Sequence, residues 1–198
     1  MTAQIKNDII KIGDKMEKGK LIIVSGPSGV GKNTICDELV KQDSYEYSVS
    51  MTTREPRNGE INGIDYFFVT KEEFEERIKN NFFLEYATYN DQYYGTPKDK
   101  LFEKINNGIN VILAIEVQGA KKIKEMYPDA LYIYILPPSL EKLKERLIKR
   151  NDTSLEIIEK RINIAKKELE QIDFYNYKII NDDLDKAIKK IKEIIVID

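Results

Sequence analysis

The sequence predicts an α/β protein, a parallel sheet core flanked by helices with a small mixed lobe inserted into it. Three observations carry this. Apolar, partly β-branched runs alternate with amphipathic helical stretches along most of the chain, which is how a buried parallel sheet with helices on both faces is encoded. Between residues 52 and 97 the texture changes to short aromatic segments separated by Asn and Gly turns. One apolar run, Leu21 to Val24, opens directly into the Gly-rich stretch Gly26 to Thr34, GPSGVGKNT, and a helical pattern follows.

Taken in order, residues 1–17 carry Ile5, Ile9, Ile10 and Ile12 without a partner pattern, so they read as an extension, either a short helix or a frayed arm. The first strand is Leu21 to Ser25. The helix after the loop runs from about Lys32 to Lys41 with Ile35, Leu39 and Val40 on one face, and Cys36 reads as a small core residue on it. Tyr47 to Met51 reads as a second strand. Within the aromatic stretch, Lys71 to Asn80 is helical. A helix from about Lys98 to Asn107 is closed by Gly108. Val111 to Val117 reads as a buried strand, a helix over Ala120 to Met126 stops before Pro128, and Leu131 to Leu136 is the next strand. Pro137, Pro138 and Ser139 open a helix to about Arg150, with Leu140, Leu143 and Leu147 on one face. Asn151, Asp152 and Thr153 break it. Leu155, Ile158, Ile162, Ala165, Leu169 and Ile172 then recur at steps of three and four, the mark of a long amphipathic helix. Tyr177 to Ile180 is the last strand and about Leu184 to Ile194 the last helix. The chain is thus read as one domain over 1–198, with a core of 18–51, 98–145 and 162–198, an inserted lobe at 52–97, and a short helical lid at about 146–161.

Bulk composition bounds the function classes. The chain has 198 residues, 33% charged and 41% hydrophobic, enough for one domain with a sizeable core. Its longest apolar run, Ala130 to Leu136, falls far short of the ~20 residues of a membrane span, and no secretory signal pattern is visible, so no membrane role is expected. The single Cys36 rules out an internal disulfide and suits a reducing, cytoplasmic setting. A net charge of −2 predicts no general attraction to nucleic acid.

The Gly26 to Thr34 stretch carries the first chemistry. A strand that enters a Gly-rich loop ending in Lys, ahead of a helix, makes a seat for nucleotide phosphates, the mark of a P-loop NTPase-type core. Loop N–H groups and the positive helix end face the anion, and Lys32 adds a mobile charge for the outer phosphates. Residues Gly26, Pro27, Ser28, Gly29, Val30, Gly31, Lys32, Asn33 and Thr34 are therefore candidate ligands of nucleotide phosphates, those of ATP if the resemblance described below holds. The strict pattern has a hydroxyl after the Lys, but Asn33 stands there and Thr34 one step later. A metal ion is then expected to be held mainly by nucleotide phosphates and water, with Thr34 and Glu116 as the side-chain candidates.

The second signal is the scarcity of arginine. Of 32 basic residues only six are Arg: Arg54, Arg57, Arg77, Arg146, Arg150 and Arg161. The planar guanidinium grips phosphate at two points, so a chain that otherwise uses Lys marks phosphate sites by its Arg positions. Arg77 lies in an acidic helical run and reads as a surface charge. Arg54 and Arg57, with Tyr66 and Tyr94, can converge on one small dianion. Arg146 and Arg150 are four apart on one helix face, with Arg161 one turn into the next helix; plain solvated helix charges are the competing reading.

Together the stretch SVSMTTREPRNGEINGIDY (Ser48 to Tyr66), then FFLEYATY, QYYGTP, VQGA, PPSLEKLKERLIKR and NDDL, in this order, resembles guanylate kinase, a nucleoside monophosphate kinase. The resemblance covers the chain from about Lys18 onward. It implies that Arg54, Arg57, Tyr66 and Tyr94 hold the phosphate of GMP, with Glu60 nearby. It implies that Glu85, Ser50 and Thr96 read guanine, and that Glu116 faces the acceptor nucleotide. Arg146, Arg150 and Arg161 would close over the transferring phosphoryl group beside Lys32, Asn151 to Ser154 would form a mobile lid, and Asn181 and Asp182 would lie beside the adenine of ATP. A carboxylate at Glu85 suits guanine, whose N1–H and N2 amino group offer two donors that adenine lacks. One departure stands out. The family usually has acidic residues at the positions of both Ala114 and Glu116, and Ala114 removes one. Lowered activity or another acceptor would follow from that loss.

The expected reaction is transfer of the γ-phosphoryl group from ATP to GMP, giving ADP and GDP, with Mg²⁺ as cofactor, in a monomer or homodimer. Two alternatives stay open on the sequence: a non-catalytic guanylate-kinase-like binding module, and a P-loop kinase acting on another phosphorylated acceptor.

Overall fold

The computed structural model describes residues 18–41, 44–89, 91–150 and 154–197. The expectations for residues 1–17, for the break at 151–153 and for most of the Asn151 to Ser154 lid lie outside these residues.

The core is a five-stranded sheet. Its strands are β1 (Leu21–Ser25), β2 (Tyr45–Tyr47), β7 (Asn110–Ala114), β8 (Leu131–Leu136) and β9 (Tyr177–Ile180), in the order β2-β7-β1-β8-β9, all parallel. The first strand is central, with Ile22 opposite Ile112 on one side and Leu131 on the other. Its side chains divide the core. Ile22 and Val24 pack with Leu143, Leu147, Ile158 and Ile191, from helices α5 (Leu140–Arg150), α6 (Leu155–Leu169) and α7 (Leu184–Ile197). Ile23 points the other way, to Leu101 and Ile123 of helices α3 (Asp99–Asn106) and α4 (Val117–Met126). All four β1 residues from Leu21 to Val24 are buried, so a central parallel strand reads as an unbroken apolar run, worth about 1.5–3 kcal/mol for each large side chain buried.

The inserted segment folds as a second, mixed sheet. It holds β3 (Met51–Thr52), β4 (Phe67–Phe68), β5 (Phe83–Tyr89) and β6 (Gln92–Pro97) in the order β4-β3-β6-β5. The β3–β4 pair is parallel; β6 is antiparallel to both neighbours. Helix α2 (Lys71–Lys79) covers this sheet through Phe74, whose ring stacks on Phe83 at 4.3 Å and Tyr93 at 5.2 Å. A capping box starts α2: the Glu73 N–H donates to the Thr70 hydroxyl at 3.2 Å, and the Thr70 N–H to the Glu73 carboxylate at 3.1 Å.

Two expected strands are corrected. Tyr47 to Met51 is not one strand but the junction of two sheets. Tyr47 still pairs with Ile112 and the Ser48 N–H still reaches the Ile112 carbonyl (3.0 Å), while the Ser50 carbonyl already accepts from Phe67 N–H (2.9 Å). Pairing changes partner within three residues, which side-chain periodicity does not report. The run Val111 to Val117 likewise ends as a strand at Ala114; Glu116 is the N-cap of α4, and the helix begins at Val117. Ile115 and Val117 stay buried through the turn, so the run looks continuous in sequence.

Candidate functional site

The Gly-rich loop joins the C-terminal end of β1 to helix α1 (Lys32–Leu39). Gly31 is the N-cap of α1 in a left-handed conformation, φ 98°. A Cβ there would lie 2.6 Å from the Asn181 amide nitrogen, so both backbone and space require glycine. The loop is tied from behind. The Asn181 amide donates to the Val30 carbonyl at 2.8 Å. Arg146 donates to the Asn181 carbonyl at 2.8 Å and to the Val30 carbonyl at 3.3 Å. Lys32 Nζ donates to the Gly26 carbonyl at 3.1 Å and to Glu116 Oε1 at 3.3 Å. Burial by itself pulls the Lys32 ammonium down, but Glu116, then Glu168, more than offset it and hold its pKa above the ordinary value.

Across from the loop, the second sheet presents a cationic and phenolic group. Arg54 forms a two-point pair with Glu60, both contacts at 2.9 Å, and its guanidinium lies 5.4 Å from the Tyr66 ring centroid. The Arg57 N–H donates to Glu60 at 2.7 Å, while the Arg57 side chain is exposed. Tyr94 meets Tyr66 edge-on at 6.0 Å. Burial would raise the Glu60 carboxyl, but the bonds from Arg54 and the Arg57 backbone hold it below its ordinary value.

Glu85 is 7% exposed on β5. The Thr96 hydroxyl donates to its Oε1 at 2.8 Å. Burial pushes its pKa up to about 7; the Thr96 bond and Lys122 oppose this, and Glu116 adds to it. A second acid, Glu168 on α6, is pushed up to about 7 by burial and Glu116, against the pull of Lys32.

Apart from Glu168, these pieces meet at one cleft of about 410 Å³. Of the candidates, Pro27, Ser28, Gly29, Gly31, Lys32, Asn33, Thr34, Ser50, Arg54, Arg57, Glu60, Tyr66, Glu85, Tyr94, Glu116, Arg146 and Arg150 line it. Gly26 contributes the carbonyl under Lys32, Val30 the carbonyl held by Asn181 and Arg146, and Thr96 its bond to Glu85. Asn181 is buried and engaged with the loop, and Asp182 is exposed; neither lines the cleft. Arg161 faces an adjoining gap of about 310 Å³ between α6 and the second sheet, shared with Arg54, Arg57, Tyr89, Tyr94 and Lys160. Ala114 lines the main cleft, where its methyl group offers no charge.

Sequence reasoning gave no role to Tyr89, Gly119 or Glu168. Tyr89 and Gly119 line the cleft. Tyr89 lies in the same aromatic segment as Glu85, and Gly119 in the quoted VQGA, but nothing in their spacing signals a site. Glu168 looks like one more charge on an amphipathic helix.

Among the described residues no group of three or more His, Cys, Asp or Glu side chains is placed to hold a metal ion. The oxygen donors of Asn33 and Thr34 face the cleft and are exposed. That donor set fits Mg²⁺ arriving on nucleotide phosphates with most of its water, rather than a caged ion. Among the described residues no helix is long and apolar enough to cross a membrane.

Comparison with known proteins agrees with this geometry. Residues 18–197 match the guanylate kinase family profile. The chain is 51% identical over 180 residues to the guanylate kinase of Clostridium tetani, covering 91% of this chain and 86% of that one. It is 50% identical over 181 residues to the guanylate kinase of Clostridioides difficile, covering 91% and 88%. A crystal structure of guanylate kinase from Anaplasma phagocytophilum superposes with a TM-score of 0.78 at 32% identity, covering 91% of this chain and 86% of that one.

Proposed function

The chain belongs to the guanylate kinase family, and from that premise we propose how its cleft phosphorylates GMP at the expense of ATP. The protein is an enzyme, an ATP-dependent guanylate kinase that yields ADP and GDP. What supports the placement of the two nucleotides is one continuous cleft. The phosphate loop and Lys32 lie at one end; Arg54, Tyr66 and Tyr94 face them, with Glu85 bonded to Thr96 behind.

In our reading, the loop N–H groups and Lys32 hold the β- and γ-phosphates of ATP. Arg54, Arg57, Tyr66 and Tyr94 take the GMP phosphate, and Glu60 keeps Arg54 extended until that dianion replaces it. Glu85 and Ser50, with Thr96 positioning the carboxylate, read the guanine edge. The nucleophile is a phosphate oxygen of GMP, whose second pKa of ~6 leaves it ionised at neutral pH, so no general base is required. A bond forms from that oxygen to the γ-phosphorus. The bond from γ-phosphorus to the β–γ bridging oxygen breaks, and ADP leaves with its electron pair. Catalysis is alignment and charge neutralisation. Arg146 and Arg150 approach from the loop side and Arg161 from the adjoining gap. Thr34 is the side chain that would face a bound Mg²⁺, which would supply charge neutralisation to the transferring phosphate. We divide the chain functionally into core, GMP lobe (52–97) and lid (about 146–161), and place the enzyme in the cytoplasm as a monomer or homodimer. The intact Lys32 loop speaks against a non-catalytic binding module, and Glu85 against a different acceptor.

The test is turnover of the purified chain with ATP and Mg²⁺ against a panel of nucleoside monophosphates and sugar phosphates. GMP should be the preferred acceptor by orders of magnitude; equal turnover of AMP or a sugar phosphate would overturn the reading. Lys32→Ala should abolish turnover, while Arg54→Ala should chiefly raise the GMP concentration required. Unchanged turnover in Lys32→Ala would remove that residue from the phosphate site.

A further inference from the structure

Gly119 lies in the first turn of α4, on the core, and faces the lobe. A Cβ built on it would stand 2.5 Å from Glu85 Oε2 and 3.1 Å from the carboxyl carbon. Nothing in the backbone requires glycine there, since Gly119 is not among the positive-φ glycines. The absence of a side chain is therefore tied to the carboxylate opposite. Glu85 is fixed from both sides: Thr96 holds Oε1 at 2.8 Å, and the bare face of Gly119 receives Oε2. An alanine methyl at 119 would displace the Glu85 carboxylate from its present position. Its neighbours are the carboxylate and Ile115 Cδ1 at 3.5 Å. The near-fully buried Glu85 would have to turn out of the notch and give up either its bond to Thr96 or its aim at the base.

We propose that Gly119 is a specificity-determining positioning residue: its missing side chain forms the notch that seats Glu85 Oε2, so that a helix of the core sets the aim of the lobe's guanine-reading carboxylate. The inference rests on the reading of Glu85 as the group that recognises guanine.

The experiment compares Gly119→Ala, Glu85→Asp, Glu85→Gln and the double variant Gly119→Ala/Glu85→Asp, measuring KM for GMP, KM for ATP, and the ratio of kcat/KM for GMP over AMP. Gly119→Ala should raise KM for GMP about tenfold or more and lower the GMP/AMP ratio, with KM for ATP within about twofold of the parent. Asp is one methylene shorter and withdraws the carboxylate from the notch. The double variant should therefore be no worse than Glu85→Asp alone. Gly119→Ala with unchanged GMP affinity and discrimination overturns the proposal, as does a double variant whose losses multiply. Should Gly119→Ala fail to fold, restoration of folding by Glu85→Asp supports the notch, and continued failure overturns it. If Glu85→Gln leaves discrimination untouched, it is the guanine-reading role of Glu85 that fails, which separates the two claims.

Discussion

Glu85 is set apart from the other site residues by its charge state. With a pKa near 7 it is about half ionised at neutral pH in the empty cleft, because burial outweighs its bond from Thr96 and the attraction of Lys122. The proposed reading of guanine requires the ionised form, since both of the base's edge groups donate. The competent fraction therefore falls as pH drops through about 7, and KM for GMP should be roughly tenfold higher at pH 6 than at pH 8. Glu85→Gln should remove the part of that dependence not owed to the GMP phosphate. The amide offers one donor and one acceptor, which matches adenine better than guanine. The GMP/AMP ratio of kcat/KM should fall about a hundredfold or more. Steady-state kinetics over pH 5.5–8.5 for both proteins checks this; a parent KM independent of pH would contradict it. Glu85, Arg54 and Lys32 were legible from the sequence because each has a residue type its chemistry demands. Gly119 and Glu168 were not: what matters there is a gap between two elements and a charge inside a helix face, and neither leaves a pattern in the chain.

At the level of elements, β9 and α5 hold the phosphate loop from behind. Asn181 follows directly on β9 and fills one side of Val30 with its amide; Arg146 of α5 bonds both Val30 and Asn181 carbonyls. Asn181→Ala leaves the buried Val30 carbonyl with only the longer Arg146 bond and opens space beside Gly31. It should cost about 1–3 kcal/mol of stability and raise KM for ATP several-fold with little change in KM for GMP. Thermal unfolding with two-substrate kinetics tests this, and equal shifts in both KM values would count against a loop-specific role. Element positions were readable in sequence where burial is two-sided, as in β1 and β8. The boundary at Tyr47 to Met51 was not, because the switch of sheet is a matter of backbone pairing.

On the scale of the whole molecule, the gap between α6 and the second sheet concentrates like charge. Arg54, Arg57, Lys160 and Arg161 share about 310 Å³ with one acid, Glu55. Arg54 is already paired to Glu60 and Lys160 to Glu156, and phosphates entering beside them should draw the two walls together. Small-angle scattering should show a smaller radius of gyration with GMP and a non-hydrolysable ATP analogue together than for the empty protein. An unchanged value would mean that the two sheets already stand at their working separation.

The contact between Gly119 and Glu85 also bears on how such an enzyme can be re-engineered. The chain leaves the main sheet after Tyr47 and returns to the core with α3 at Asp99, so residues 48–98 look like an exchangeable cassette that a designer might graft from a relative with another base preference. Yet part of the recognition pocket's wall stays behind in the recipient scaffold. A transplanted cassette with a bulkier or differently angled reader would meet a socket cut for glutamate, and the graft would succeed only if position 119 were redesigned along with it.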